Sequence, residues 1–514
     1  MDKMTFSAIP RTKSWPKFDP LFWSCAVYLF LLLLWLGKNR LLGLDESMYA
    51  GVILAEARDH HWLPMTFEGH PFWEKAPLLL WLQGLAVWLG GANEFSLRLM
   101  SALSGVLCFY FVARLGAYFA GNPWIGLACA WLVGFEEHFI LYARLATMDM
   151  GLVACLMGSW WGMAQAFDPL LKEKAPQKLL MAGLFSAAAI GCKSWFGLVL
   201  LPAIGVALWF CRPWPFSTRQ FLARFVAPIL ASLAFWLLLY SLAYGKDFWS
   251  WEWDKNVLTR LKIGEFSYGL QGDGGFHWMF YAVIAQSGLA FLWPLAPLGF
   301  FLWIKEVWQN SRARRFSLAP IVGVLFFFYY LFFILSFMAI LINYLFPLVP
   351  VAALAPVFIF RHSERPKVAL AGALACLLGV MSGWGGDSYL SVLLGFSFGL
   401  ILLALLPVPW HWAAARKVFE LSLVVLLLAA GLKAQDYLRH PPDPNHAWVA
   451  AVLAHPARYS GEPLLFVGEH TNARALEFYS GYRVTALYQL PSERPKEAIL
   501  FPHQNEAVFY PAQP

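Results

Sequence analysis

The chain has 514 residues, of which 60% are hydrophobic and only 13% charged, with 26 Trp and 44 Phe. Apolar runs of about twenty residues recur from Leu21 to Lys433, which excludes a soluble globular domain and marks a polytopic integral membrane protein. The formal charge of +7 is carried by Lys and Arg dispersed through short loops, so it reports membrane topology and argues against a nucleic-acid partner.

The first apolar run, 21–37, follows Lys3, Arg11, Lys13 and Lys17. That order imitates a secretory signal, but no small-residue cleavage site follows and the next segment is charged, so the run reads as a retained first span. Further spans are predicted near 97–119, 124–142, 147–167, 179–192, 195–210, 222–244, 279–303, 319–336, 343–360, 367–381, 388–406 and 416–433, about thirteen in all. The pair 179–192 and 195–210 meets at Gly191-Cys192-Lys193-Ser194, and reading it as one helix would invert everything downstream. Loop charge supports two. With a cytoplasmic amino terminus, segments 1–20, 168–178, 211–224, 304–318, 361–367 and 409–417 hold 19 Lys and Arg against 6 Asp and Glu, whereas loops 38–95 and 245–278 hold 8 against 12. This is the positive-inside pattern.

Three regions are expected outside the bilayer on the outer face. Loop 38–95 carries helical patterns at 47–59 and 77–89, the second rich in Leu and Trp and suited to the interface. Loop 245–278 alternates aromatic and acidic residues (Trp249, Trp251, Glu252, Trp253, Asp254) and ends on Gly272-Asp273-Gly274-Gly275. The third is the tail from Ala434. It opens on a proline-rich joint at 440–444, with strand-like runs at 464–467, 484–490 and 498–501 around helix-like stretches at 446–454 and 473–479, the pattern of a small α/β domain. The fold class expected is therefore an all-α polytopic membrane protein with outer-face loop helices and a small C-terminal α/β soluble domain. Residues 1–433 form the transmembrane domain with both outer loops, and 434–514 form the domain outside it.

Seven cysteines (Cys25, Cys108, Cys129, Cys155, Cys192, Cys211, Cys376) fall in or at the ends of apolar runs and read as packing residues. No internal repeat is evident, which weighs against a transporter built from repeated halves. The chemistry-bearing residues gather instead in the first outer loop. Asp45 and Glu46 directly follow the first span, and Glu74-Lys75-Ala76-Pro77 follows later in the same loop, beside a surface where a carboxylate stays ionised and still faces a lipid-borne substrate.

Five motifs stand in order: Asp45-Glu46-Ser47-Met48-Tyr49, His61-Trp62-Leu63-Pro64, Glu74-Lys75-Ala76-Pro77-Leu78-Leu79-Leu80-Trp81, Phe95-Ser96-Leu97-Arg98-Leu99 and Arg144-Leu145-Ala146-Thr147-Met148-Asp149. Together they resemble the bacterial aminoarabinose (4-amino-4-deoxy-L-arabinose) transferases of lipid A modification and the related protein O-mannosyltransferases, which are C-type (GT-C) glycosyltransferases. The resemblance is dense over about residues 40–205, thinner over the remaining spans and again visible in the tail. It implies an enzyme of the bacterial inner membrane, with its amino terminus cytoplasmic and its active site and carboxy terminus periplasmic. Such an enzyme takes a sugar from a polyprenyl-phosphate-linked donor and passes it to an acceptor hydroxyl on a glycolipid or another envelope molecule.

Displacing a phosphate from an anomeric carbon needs a base for the acceptor proton and cations for the departing phosphate. The resemblance assigns Asp45 as the base. Lys75, Arg144 and Lys193 become donor-phosphate ligands, with Arg58 as a further candidate cation. Glu46 and Tyr49 support the base, and Asp149 orients Arg144 or a helix end. It also implies that Glu74 and His277 could share a divalent, zinc-like metal. No other cofactor is called for.

Each residue also has a plain structural reading. Asp45 can cap the helix that starts near Ser47, Glu46 can be a helix-start charge, and Glu74 with Lys75 can be a solvated pair in a first helical turn. Arg144 and Lys193 can snorkel to headgroups, and His277 can be an interfacial hydrogen-bonding residue. The chain departs from the aminoarabinose pattern at Met48, at Ala76 and over 336–344, where two expected positive charges are absent, so Arg260 or Lys262 would have to supply cations and the sugar is left open. A lipid-linked-sugar flippase or transporter and a non-catalytic assembly subunit are the competing classes. A transporter would place its charges at mid-membrane rather than in outer loops.

Overall fold

The computed structural model describes residues 19–39, 41, 45–59, 62–67, 70–254, 295–313, 317–337, 342–385 and 415–439, together with four strands of the tail. Helix α1 (Pro20–Leu33) begins with proline at its first turn, and the Asp19 carboxylate accepts from the Leu21 amide at 3.0 Å. It is followed by α2 (Asp45–Asp59), a two-rung hairpin of β1 (Thr66–Phe67) and β2 (His70–Pro71), and α3 (Leu78–Gly90). The two loop helices match their predicted ranges to within two residues at each end. The hairpin is too short to leave a pattern in the sequence.

Next come α4 (Glu94–Ala120), α5 (Pro123–Gly134), α6 (Glu137–Ala143), α7 (Asp149–Ala166), α8 (Ala175–Lys193), α9 (Leu201–Phe210) and the long α10 (Thr218–Tyr244). Helix α7 is buried along its whole length and forms the centre of the packing. It approaches α8 so closely that a Cβ on Gly162 would lie 2.7 Å from the Ala182 nitrogen, and only glycine leaves that room.

Among the described residues, Glu94–Ala120, Pro169–Leu198, Thr218–Tyr244 and Ala415–Gln435 are long and apolar enough to cross a membrane, and α5 with α6 would make a fifth as a bent pair. Shorter apolar helices accompany them, including Pro20–Leu33 and Leu201–Phe210. Apolar side chains stand exposed on these surfaces, such as Phe22 and Phe30 on α1, Leu238 and Leu242 on α10, and Leu421 and Leu428 on the helix Ala415–Arg439. A polar solvent would penalise this, and a lipid one does not.

Two expected spans are broken. The run 124–142 is two helices bent by 75°, because the buried Glu136 carboxylate takes the amides of His138 at 3.2 Å and Phe139 at 2.7 Å and so starts a new helix. The run 343–360 is divided into Ile342–Leu345, Leu348–Ala352 and Pro356–His362, with Pro347, Pro350 and Pro356 withholding the amide hydrogens that a continuous helix needs. The expected break at Lys193-Ser194 is present, with α8 ending at Lys193 and a 3-10 turn, Ser194–Leu198, leading to α9. The span 388–406 and most of 279–303 lie outside the described residues.

In the tail, β3 (Leu464–Val467) pairs in parallel with β4 (Val484–Leu487) and with β5 (Ile499–His503), and β5 pairs antiparallel with β6 (Glu506–Tyr510), giving the order β4-β3-β5-β6. Three of these strands were expected and β6 was not. The helical stretches expected at 446–454 and 473–479 lie outside the described residues.

Candidate active site

The amino-terminal turn of α2 is held by charge. Glu46 is buried and receives Arg98 on both oxygens, Nε to Oε1 at 2.8 Å and Nη2 to Oε2 at 3.1 Å, while the Ala146 amide donates to Oε1 at 3.0 Å. Arg98 Nη1 then donates to the carbonyls of Leu36 at 3.0 Å and Asn39 at 2.8 Å. Three motifs that lie far apart in sequence, at 45–49, 95–99 and 144–149, therefore meet at one forked ion pair, which fixes where Asp45 stands. Glu46 is thus a structural anchor, and its partner Arg98, which stands in the motif 95–99, was not among the expected site residues.

A second buried pair lies on the neighbouring helices. Lys193 Nζ, at the end of α8, donates to Asp149 Oδ1 in the first turn of α7 at 2.5 Å, and its ammonium faces the rings of Phe196 at 5.6 Å and Tyr344 at 5.4 Å. Asp149 was expected to orient Arg144 or a helix end, and it stands in the first turn of α7 with Lys193 as its ion-pair partner. Arg144 Nη1 instead donates to the carbonyls of Leu32 at 2.6 Å and Leu34 at 2.7 Å, closing the carboxy-terminal end of α1, where carbonyls lack helical partners. These bonds occupy Nη1 and tie the side chain to the backbone that follows α1.

Glu74 and Lys75 form an open pair, Nζ to Oε2 at 3.7 Å, with Lys75 mostly shielded and Glu74 nearly half exposed. Their backbone is tied down from behind. The Tyr240 hydroxyl donates to the Lys75 carbonyl at 2.7 Å, the Tyr244 hydroxyl sits 3.1 Å from the carbonyls of Met65 and Phe72, and the Ala76 amide donates to Ser194 Oγ at 2.8 Å. On the other side Trp81 Nε1 donates to the Trp62 carbonyl at 3.0 Å, joining the motifs at 61–64 and 74–81.

Asp45, the first residue of α2, shares an electrostatic environment with all of these charges. Burial raises its pKa above the ordinary carboxylate value and the charge of Asp149 adds to the rise, Lys193 and Lys75 oppose it, and Glu74 raises it slightly further. Tyr49, buried one turn later with its ring edge-on to Phe72 at 6.3 Å, is held firmly protonated by burial and by the nearby acids Asp45, Asp149 and Glu74. The structure therefore brings Asp45, Tyr49, Glu74, Lys75, Asp149 and Lys193 into one neighbourhood. A carboxylate with raised proton affinity beside two ammonium groups can take a proton from a hydroxyl and balance a developing anion.

Arg58 lies on α2, but its side chain, like Arg260, Lys262 and His277, is outside the described residues. Of the suggested metal pair only Glu74 is described, and among the described residues no three His, Cys, Asp or Glu side chains converge as a metal cluster would require.

Comparison with known proteins gives a consistent result. Residues 74–243 match the family described as dolichyl-phosphate-mannose-protein mannosyltransferase. The undecaprenyl phosphate-alpha-4-amino-4-deoxy-L-arabinose arabinosyl transferase of Shewanella sediminis (strain HAW-EB3) is 27% identical over 177 residues, 34% of this chain and 32% of that protein. The chain thus matches about a third of that relative's length. The crystal structure of ArnT from Cupriavidus metallidurans in the apo state aligns with a TM-score of 0.60 at 19% identity, over 91% of this chain and 86% of that one. The same protein bound to undecaprenyl phosphate aligns with a TM-score of 0.60 at 19% identity, over 93% and 87%. The chain shares that fold, and the resemblance carried by the five motifs is borne out.

Proposed function

We propose that the chain is a membrane glycosyltransferase that moves a sugar from a polyprenyl-phosphate carrier to an acceptor hydroxyl, most naturally on lipid A or another envelope glycolipid. The observation that carries this reading is Asp45, a carboxylate of raised proton affinity, set among Lys75, Lys193 and Asp149. Asp45 takes the proton of the acceptor hydroxyl, whose oxygen attacks the anomeric carbon. The bond from that carbon to the carrier phosphate breaks, and its electron pair stays on the phosphate oxygen, where Lys75 and Lys193 balance the charge.

Three acids, Asp45, Glu74 and Asp149, surround these two lysines. Binding an anionic donor there is therefore favoured when Asp45 holds its proton or when further cations arrive. Arg260 and Lys262 of the second outer loop are the sequence's candidates for the latter, with Arg58 on α2. A zinc-like metal held by Glu74 and His277 belongs to the same set of proposals.

The orientation follows from loop charge: amino terminus cytoplasmic, site and tail periplasmic in an inner membrane, with residues 434–514 as a separate domain beside the transmembrane region. The ArnT structure bound to undecaprenyl phosphate supports the carrier. The family match over residues 74–243 favours, as a second reading, a protein hydroxyl as acceptor.

The deciding experiment supplies purified protein with a polyprenyl-phosphate sugar and an acceptor and measures release of free polyprenyl phosphate. Release coupled to acceptor glycosylation is expected. Movement of intact carrier across vesicles without release would make the protein a transporter. Orientation is checked by Asn472→Cys, which an impermeant thiol reagent should label in intact spheroplasts, whereas labelling only after lysis would invert the topology.

A further inference from the structure

Three consecutive residues at the end of α8 reach in three directions. Lys193 goes to Asp149 on α7, the Ser194 hydroxyl accepts the Ala76 amide beside Lys75, and Trp195 Nε1 donates to the buried Glu252 carboxylate in the second outer loop. Ser194 is itself buried and has φ of 52° and ψ of −131°, a backbone conformation that a side chain other than glycine adopts only against steric cost. The following 3-10 turn is folded hard onto the end of α8, since a Cβ on Gly197 would lie 2.2 Å from the Ile190 nitrogen. A costly backbone conformation kept at a position where glycine would be free of strain points to a task for the hydroxyl.

We propose that Ser194 is a positioning residue that sets Lys75 against Lys193, so that two cations from segments 118 residues apart face one donor phosphate. The proposal rests on the donor reading given above. The hydroxyl acts through the Ala76 amide: it fixes the peptide next to Lys75, while the Tyr240 hydroxyl fixes the Lys75 carbonyl from α10. The peptide group that joins Lys75 to Ala76 is thereby held at both its C=O and its N–H, and the Lys75 ammonium starts from a defined point. The strained turn supplies the other half of the alignment, because the residue before Ser194 is the second lysine. Without the hydroxyl the 74–77 segment keeps Tyr240 but loses its tie to the helix that carries Lys193.

The test is a titration of the full-length protein in detergent with undecaprenyl phosphate, alongside thermal unfolding without it. Ser194→Gly and Ser194→Ala both remove the acceptor, but glycine relieves the backbone strain and alanine keeps it. Both variants should bind undecaprenyl phosphate about threefold to tenfold more weakly, the worth of one net hydrogen bond. Ser194→Gly should unfold no earlier than the parent. Adding Ser194→Gly to Lys75→Ala should cost no further affinity, because the hydroxyl acts through that lysine. Full additivity in the double variant overturns the proposal, as does parental affinity in both Ser194 variants when Lys75→Ala alone is weakened. Parental affinity in Lys75→Ala overturns the donor reading itself, and the positioning role with it.

Discussion

Lys193 Nζ sits 2.5 Å from Asp149 Oδ1, with both side chains buried between α7 and α8. Desolvating two charges is expensive, and the pair offsets that cost only while both partners are present. Removing one should be far worse than removing both. Lys193→Met and Asp149→Asn are each expected to destabilise the protein by about 3–5 kcal/mol, whereas the double variant should recover a large part of the loss. Unfolding midpoints of the four proteins in detergent measure this. Additive losses would mean that the two groups do not depend on each other.

Arg98 makes a different kind of contact, a planar fork on Glu46 with a further nitrogen on two carbonyls of the segment after α1. An ammonium on a flexible stem cannot reproduce that geometry. Arg98→Lys should therefore lose about 2–5 kcal/mol and loosen α2. Hydrogen exchange of amides in residues 45–59 is the direct readout, and it should rise in the variant while exchange in α7 stays as in the parent. Unchanged protection of α2 would remove Arg98 from the site.

Much of this architecture was legible because hydropathy and charge act locally. Helices α2 and α3 announced themselves through their patterns, and the break at Lys193 through a charge between two apolar runs. Glu136 defeated the same reasoning, since the two carboxylates inside 124–142 barely alter the average that marks a span, yet Glu136 caps a new helix where the pair bends by 75°. The site was legible as motifs but not as contacts. Glu46 and Arg98 are 52 residues apart, Ala76 and Ser194 are 118 apart, and Lys75 and Tyr240 are 165 apart, so only folding discloses their pairing. The carbonyls that Arg144 meets at the end of α1 are likewise hidden, 112 and 110 residues away.

Glu56, about three turns after Asp45 on α2, has both oxygens buried without a hydrogen-bond partner, as do both amide atoms of Gln83 on α3. Burial pushes the Glu56 carboxyl from 4.5 up to about 8. A raised carboxyl keeps its proton in the fold after the unfolded chain has released it, so its stabilising effect is complete below about pH 4.5 and is lost as pH rises through about 8. Glu56→Gln removes that dependence. The parent's unfolding midpoint should fall more steeply than the variant's between about pH 5 and pH 9, leaving the variant the more stable at the alkaline end. Parallel curves would show that Glu56 is already ionised in the fold.

Asp45 separates the catalytic and structural readings most sharply. An aspartate that only capped α2 would tolerate asparagine, whose oxygen still accepts the backbone amide, at a cost of about 1 kcal/mol or less. Catalysis would not tolerate it, because the amide cannot accept the acceptor's proton. Asp45→Asn is therefore expected to fold and bind undecaprenyl phosphate while sugar transfer falls by about a hundredfold or more. The parent's own pH profile adds a second constraint. Burial and the Asp149 charge raise the Asp45 pKa against the pull of Lys193 and Lys75, so the transfer rate should climb with pH as the proton leaves, with its midpoint above the ordinary aspartate value of 3.8. Lys75→Ala withdraws one of the opposing cations and should move that midpoint higher still. If Asp45→Asn keeps most of its rate, Asp45 is a cap. The base would then be Glu74, since Glu46 is committed on both oxygens to Arg98.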